Sequence, residues 1–314
     1  MAQHGRWSAA DIPDLSGKTA IVTGGNSGIG FEAARELARK RAHVILACRD
    51  LGRAQEAIAQ ILALLPSVSL EAMQLDLASL ESVHRFAHDF AARSTPLDVL
   101  INNAGVMAIP YRKTAEGFEM QLGTNHFGHF ALTGLLLPAL LAAPAARVVN
   151  VSSTAHKMGR INFADLQSAK SYSKWPAYAQ SKLANLLFTF ELQRRLDDAR
   201  ASAISLACHP GYAATNLQSA GPRMAGSRLM ESIMEIGNRL FSQSAAMGAL
   251  PTLYAATAPD AAGGDYIGPD GFFENNGHPK KTTSTARSHD REAARRLWEI
   301  SEELTAVRYT ALLA

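Results

Sequence analysis

Short apolar runs follow one another along this chain, and several of them carry no polar alternation. A strand with one wet face alternates, whereas a strand buried on both faces does not. The runs are KTAIVTG from Lys18, HVILACR from His43, LEAMQLD from Leu70, LDVLINNAG from Leu97, RVVNVSS from Arg147 and ISLACHPG from Ile204. Helical patterns lie between them, over 53–64, 80–92, 130–141 and 178–196. After the first run, Ile29, Ala33, Ala34 and Leu37 mark one face of another helix. Strand and helix alternate with no long polar linker and no internal repeat, which implies an α/β fold: a doubly wound parallel sheet with helices on each side. The expected division is an N-terminal extension, 1–14, and a single domain, 15–314.

The segment 219–247 breaks the alternation. Met224, Leu229, Met230, Ile233, Met234, Ile236, Leu240 and Phe241 form an apolar helical stripe there. It reads equally as a core-facing helix or as a C-terminal substrate lid, and less well as a membrane-contacting helix. The tail reads as a turn-rich loop, GGDYIGPDG, followed by a helix over 290–304.

Composition narrows the partners. Hydrophobic content of 47% with 19% charge supports a sizeable core, and a net charge of +3 with dispersed basic residues argues against nucleic acid. Cys48 and Cys208 sit in strand-like runs and read as buried thiols of a reducing compartment rather than a disulfide. The first 18 residues have no apolar core of a secretory signal, and the apolar stretch 135–143 is too short to span a bilayer. The expected location is the cytoplasm, with no transmembrane segment. His126, His129 and His156 lack a Cys or carboxylate at zinc-site spacing, so they read as packing or pocket residues and no metal is expected.

The first strand-to-helix turn carries the chemistry. Thr23 is followed by Gly24, Gly25, Asn26, Ser27, Gly28, Ile29 and Gly30. Glycines let the backbone turn tightly and approach a pyrophosphate, and the helix N-terminus offers unpaired N–H groups to the anion. The second strand ends at Cys48, where an acidic side chain would pair with a free ribose 2′-hydroxyl. None is there. Arg49 instead suits a 2′-phosphate, which favours NADP(H), while Asp50 one position on leaves NAD(H) possible. Tyr178 and Lys182 are four positions apart, on one face of a helix.

With these motifs the sequence resembles the short-chain dehydrogenase/reductase family, and within it the retinol dehydrogenase-like and protochlorophyllide reductase-like branch. The motifs come in family order: TGGNSGIG at Thr23, Leu77 after Asp76, NNAG at Asn102, TNHFGHF around Asn125, NVSS ending at Ser153, YAQSK from Tyr178 and HPGYAAT from His209. The resemblance implies a Rossmann-like sheet of about seven parallel strands. It implies Asn125, Ser153, Tyr178 and Lys182 as the catalytic set, with Tyr178 as acid/base, Ser153 on the substrate oxygen and Asn125 linking Lys182 through water to solvent. Lys182 is also expected on the nicotinamide ribose, its ammonium and the nicotinamide charge lowering the phenol's pKa. For the cofactor it adds Asp76 and Leu77 at the adenine, Asn103, Ala104 and Gly105 at the adenosine ribose, and Pro210, Gly211 and Thr215 at the nicotinamide. Asn102 reads as a structural amide.

The resemblance therefore implies an NADP(H)-dependent carbonyl reductase or alcohol dehydrogenase acting on a small-molecule carbonyl or alcohol, with a homodimer or homotetramer possible. The stretch between Ser153 and Tyr178 is longer than in many members, and 156–174 reads as a flap that suits a lipophilic substrate. Trp175 is a further pocket-wall candidate, packing being the alternative. Two rivals stand beside this reading. One is a non-catalytic nucleotide-binding sensor, which should lose the Tyr or Lys; the other is an NAD-retaining epimerase or dehydratase relative, which uses the same pair with a different glycine spacing.

Overall fold

The computed structural model describes residues 6–211 and 243–313. Eight strands form one sheet in the order β3-β2-β1-β4-β5-β6-β7-β8. They are β1 (Thr19–Thr23), β2 (His43–Cys48), β3 (Ser69–Gln74), β4 (Val99–Asn102), β5 (Arg147–Val151), β6 (Ile204–Cys208), β7 (Tyr266–Pro269) and β8 (Pro279–Thr282). All neighbours are parallel except β7 and β8. The expected parallel sheet is present, closed at one edge by an antiparallel strand that the sequence reading lacked.

The missing polar alternation has a direct cause. Ala20, Val22, Val44, Leu46, Val99 and Ile101 enter a core on one face, with α1 (Gly28–Arg39), α2 (Leu51–Leu64) and α6 (Ala245–Thr257). Ile21, Ile45, Ala47, Leu100 and Val148 enter a core on the other face. There the cover is α3 (Leu80–Ala91), α4 (Gly128–Leu141), α5 (Lys174–Asp198) and α7 (Arg291–Thr305). Strands β1, β2, β4 and β5 thus bury both faces, at about 1.5–3 kcal/mol for each large aliphatic side chain removed from water. The expected extension does not stand apart: Ile12 is buried in the first core, and the Trp7 ring meets Tyr254 edge-on at 5.2 Å.

Two features of the C-terminal third correct the sequence reading. GGDYIGPDG is not simply a loop, because Tyr266–Pro269 within it is β7, paired with β6 at Ala207 and Cys208. Residues Pro279–Thr282 then return antiparallel as β8, with Lys280 and Lys281 both exposed on the sheet's outermost strand. Thr215 and the part of the 219–247 segment up to residue 242 lie outside the described residues. Among the described residues, no helix is long and apolar enough to cross a membrane.

The strand order positions the site. The chain leaves β1 on one side to build β2 and β3, then returns to place β4 on the other side. Loops diverge at that reversal, and the crevice opens beyond the C-terminal ends of β1 and β4. Leu100, in register with Ile21 and Val148 and fully buried, anchors the strand that borders it. Leu100→Ala is expected to lower the unfolding free energy by ~2–5 kcal/mol in urea titration, through lost burial and a residual cavity. A change below about 0.5 kcal/mol would place this residue outside the tight core.

Candidate active site

Backbone shape makes the anion cradle. Beyond Thr23 the chain turns through Gly24 and Gly28, at φ +66° and +56°, a region that other residues adopt at a cost. A Cβ on Gly30 would lie 2.4 Å from the Gly24 carbonyl oxygen and 2.5 Å from Asn103 Nδ2. On Gly24 it would lie 3.1 Å from the Ala104 Cβ. Only hydrogen at these positions lets the loop, α1 and the end of β4 close together. Ser27 is the N-cap of α1, yet its hydroxyl takes none of the first-turn N–H groups, which leaves them for an anion. The Ile29 side chain packs into the first core, so that residue can offer a ligand only its backbone.

At the far end of β2 the two candidates for the ribose separate. Asp50 is the N-cap of α2, its carboxylate accepting the Arg53 N–H at 3.1 Å and facing the Arg53 guanidinium at 3.7 Å. Arg49 is exposed and, among the described residues, makes no ion pair. A cation is therefore presented where the sequence left an acid or a base open. Asp76 accepts the Ala78 N–H at 3.0 Å, turning the chain after β3, and the Leu77 side chain is buried in the second core. A Cβ on Gly128 would lie 2.5 Å from the Leu77 carbonyl oxygen, so α4 seats tightly on that turn.

A break in helical pitch delivers the next group. Residues Gly123–Phe127 form a π-helical turn ahead of α4, with the Gly128 N–H donating to the Gly123 carbonyl. Such turns bulge a side chain out of the regular ladder. Asn125 lies in this turn. Its Oδ1 accepts the Val106 N–H at 2.8 Å, and its Nδ2 donates to the Val106 carbonyl at 3.0 Å and to Ser181 Oγ at 2.9 Å. Ser181 in turn donates to the Tyr178 carbonyl at 2.8 Å. A Cβ on Gly105 would lie 2.9 Å from Asn125 Oδ1 and 3.7 Å from Lys182 Nζ, so that glycine leaves room for both.

Ser153, Tyr178 and Lys182 meet beyond the end of β5. Tyr178 is 4% exposed, and Ser153 lies near enough to its phenol to oppose the effect of burial on it. Lys182 Nζ lies 5.8 Å from the Tyr178 ring centroid and donates to the Val151 carbonyl at 3.0 Å. The ring of Trp175 meets Tyr178 edge-on at 6.3 Å and is 45% exposed, at the rim. Burial pushes the phenol up to about 12, with only Ser153 pulling it down. Burial also pushes Lys182 down to about 8. In the chain itself the phenol is therefore a neutral proton carrier, and Lys182, pushed down to about 8, has lost its charge before a phenol near 12 would titrate.

The remaining expected residues divide. Asn102 donates to Thr133 Oγ1 at 3.0 Å and Asn150 Oδ1 at 2.8 Å, a structural amide tying β4 to α4 and β5. Asn103 donates through its side chain to the Thr23 carbonyl at 2.8 Å, so its amide holds β1. Pro210 and Gly211 follow β6, where Gln243 donates to the Pro210 carbonyl at 2.6 Å and Gly211 turns at φ +65°. Several contributors lay outside the sequence reading. Thr23 Oγ1 accepts the N–H groups of Asn103 and Ala104, each at 2.9 Å. Glu274, after β7, accepts from Lys157 at 3.2 Å and from Thr282, and faces His209 Nε2 at 3.5 Å. Its carboxyl is held well below the usual carboxylate range, chiefly by His209. Their partners are remote in sequence, so nothing local marks them, although Ser181 sits within YAQSK and His209 within HPG.

The glycine cradle, the open helix N-terminus and the buried Lys182 together fit a dinucleotide, with the exposed Arg49 at the end of β2. Comparison with known proteins agrees with this geometry. A family model described as short chain dehydrogenase matches residues 18–224. Retinol dehydrogenase 14 from Mus musculus is 41% identical over 305 residues, covering 93% of this chain and 87% of its own. A crystal structure of an uncharacterised protein from Mycobacterium paratuberculosis is 43% identical, covers 97% of this chain and 99% of its own, and superposes with a TM-score of 0.80. Another, provisionally described as an NAD(P)-dependent gluconate 5-dehydrogenase from Beutenbergia cavernae with bound NADP, is 27% identical with a TM-score of 0.61, covering 81% and 95%.

The lowered Lys182 gives a pH test. Below about 8 the side chain is an ammonium able to hold ribose hydroxyls, and as pH rises through that value the charge is lost. NADPH affinity, followed by nicotinamide fluorescence, is expected to weaken above pH 8 in the native chain and to be weak and flat with pH in Lys182→Met. Constant native affinity from pH 7 to 9.5 would contradict this role.

Proposed function

The chain belongs to the short-chain dehydrogenase family and to its retinol dehydrogenase-like branch, and on that premise we propose that it is an NADP(H)-preferring reductase of lipophilic aldehydes or ketones. That it is an oxidoreductase of alcohols and carbonyls follows from the family itself. The observation that carries the finer mechanism is the meeting of Ser153, Tyr178, Lys182 and Asn125 at the C-terminal ends of β4 and β5.

When bound, the nicotinamide supplies the hydride in reduction and accepts it in oxidation. Ser153 hydrogen-bonds the substrate oxygen and holds it against the phenol. Tyr178 gives its proton to that oxygen as negative charge develops there; its buried, neutral resting form is the donor form. Lys182 holds the ribose and, once beside a phenolate, stabilises it. Asn125 keeps the loop after β4 clear of Lys182, leaving a path by which the proton is replaced from solvent.

Preference for the phosphorylated cofactor is supported by the exposed Arg49 and the engaged Asp50. The NADP-bound crystal structure of a relative is in keeping with it. A lipophilic substrate is supported by the retinol dehydrogenase relatives and by the exposed apolar side chains Met158 and Trp175, in the turn after Ser153 and one turn before Tyr178.

Two measurements test the proposal. Tyr178→Phe is expected to cut NADPH-dependent reduction across a panel of aldehydes and ketones by on the order of 10²–10⁴-fold while leaving NADPH binding nearly intact. Unchanged turnover would remove the acid/base role. Arg49→Ala is expected to raise the KM for NADPH by roughly 10-fold or more, the worth of a charge-assisted bond, with little effect on NADH. Equal effects on both cofactors would remove the 2′-phosphate contact.

A further inference from the structure

His129 is set one helical turn beyond Asn125, at the start of α4, and is 2% exposed. Its two ring nitrogens face opposite halves of the site. Nδ1 lies 3.0 Å from the Asn125 carbonyl oxygen, and Nε2 lies 2.9 Å from Thr23 Oγ1. A carbonyl oxygen only accepts, so Nδ1 carries the proton. In the neutral ring Nε2 then only accepts, and the Thr23 hydroxyl donates to it. The remaining valences of Thr23 close the circuit, since its oxygen accepts the Asn103 and Ala104 N–H groups, both at 2.9 Å. The alternative acceptor for the Thr23 proton, the Ile101 carbonyl, is farther, at 3.3 Å.

The Nδ1–H tautomer gives each member its nearest partner. A second proton on the ring would point Nε2–H at an oxygen that already accepts the Ala104 N–H and shares the Asn103 N–H with the Ile101 carbonyl. The Nε2–H tautomer would set a bare Nδ1 against a carbonyl. Burial holds the ring in the required neutral form, pushing its pKa down to about 4, with nearby Lys182 acting in the same direction. The circuit also spans the site. Ala104 touches the glycine loop at Gly24, while the neighbouring Gly105 is what admits Asn125 and Lys182.

We propose that His129 is a positioning residue, which in its neutral Nδ1–H tautomer fixes the ends of β1 and β4 against the backbone of Asn125 and so holds the cofactor loop and the proton-transfer groups in one register. The catalytic part of this claim rests on the oxidoreductase reading above; the tautomer and the circuit do not.

The test therefore has two arms. In the first, long-range ¹H–¹⁵N spectra of the native protein's imidazoles are expected to show His129 protonated at Nδ1, bare at Nε2 and unchanged from pH 8 to pH 5. An Nε2–H tautomer, or titration in that range, overturns the proposal whatever the enzyme does. In the second, His129→Phe fills the space without either hydrogen bond, His129→Gln restores one donor and one acceptor, and Thr23→Val removes the partner hydroxyl. Loss of buried hydrogen bonds on this scale is expected to cost on the order of 10-fold in NADPH affinity and in kcat for His129→Phe, with recovery in His129→Gln. The Thr23→Val/His129→Phe double variant is expected to lose no more than the worse single variant, the mark of one shared circuit. If His129→Phe shifts only the melting temperature, or if the two single losses multiply, His129 is core packing and the proposal fails. Tyr178→Phe measured in parallel separates this outcome: normal turnover in that variant would sink the catalytic reading while the spectra still judge the circuit.

Discussion

The cleft depends on a side-chain amide standing in for a missing strand. After Asn102 the chain leaves β4, and Val106 needs partners for both its backbone groups. Asn125 supplies them, accepting from the N–H at 2.8 Å and donating to the carbonyl at 3.0 Å. Its second amide hydrogen reaches Ser181, which ties α5 to the same point. The π-helical turn presents Asn125 out of the regular ladder, and Gly105 clears the space beside it. An aspartate there would lack the donor, and a leucine would leave two partly buried backbone groups without this partner, at up to about 1–3 kcal/mol each. Loop, helix and lysine are thus placed by one amide.

Burial then decides the chemistry that this placement permits. Tyr178 and Lys182 are both removed from water, and each is pushed toward its neutral form. A phenol beside an aqueous ammonium would have its pKa drawn down. Here burial dominates the phenol, with Ser153 opposing it, and the lysine's own charge is weakened by the same burial. The same enclosure keeps His126, at about 3, and His129, at about 4, uncharged. These histidines fold neutral but take up protons when unfolded, so their contribution to stability is full above about pH 6.5 and declines as acidity increases toward those values.

Legibility in the sequence followed how local each determinant is. The central parallel strands could be read because burial on both faces leaves a largely apolar run, as in His43–Cys48. Strand β7 could not, since Gly268 and Pro269 are turn residues and only pairing with β6 and β8 makes Tyr266–Pro269 extended. Strand β8 carries two lysines in four residues, and its partner sets its conformation. In the site, motif spacing brought Ser153, Tyr178, Lys182 and Asn125 into view. The Thr23 and His129 contacts did not show, because the partners lie about a hundred positions apart and no pattern links them.

The lysines of β8 have a consequence at the scale of assembly. An open sheet margin is a template on which a second copy can add a strand and carry the hydrogen-bond ladder across molecules. Here an incoming strand would have to strip hydration from two adjacent ammonium groups, one of them already committed to Asp265 at 2.9 Å. Addition of a further strand at that margin is thereby made costly.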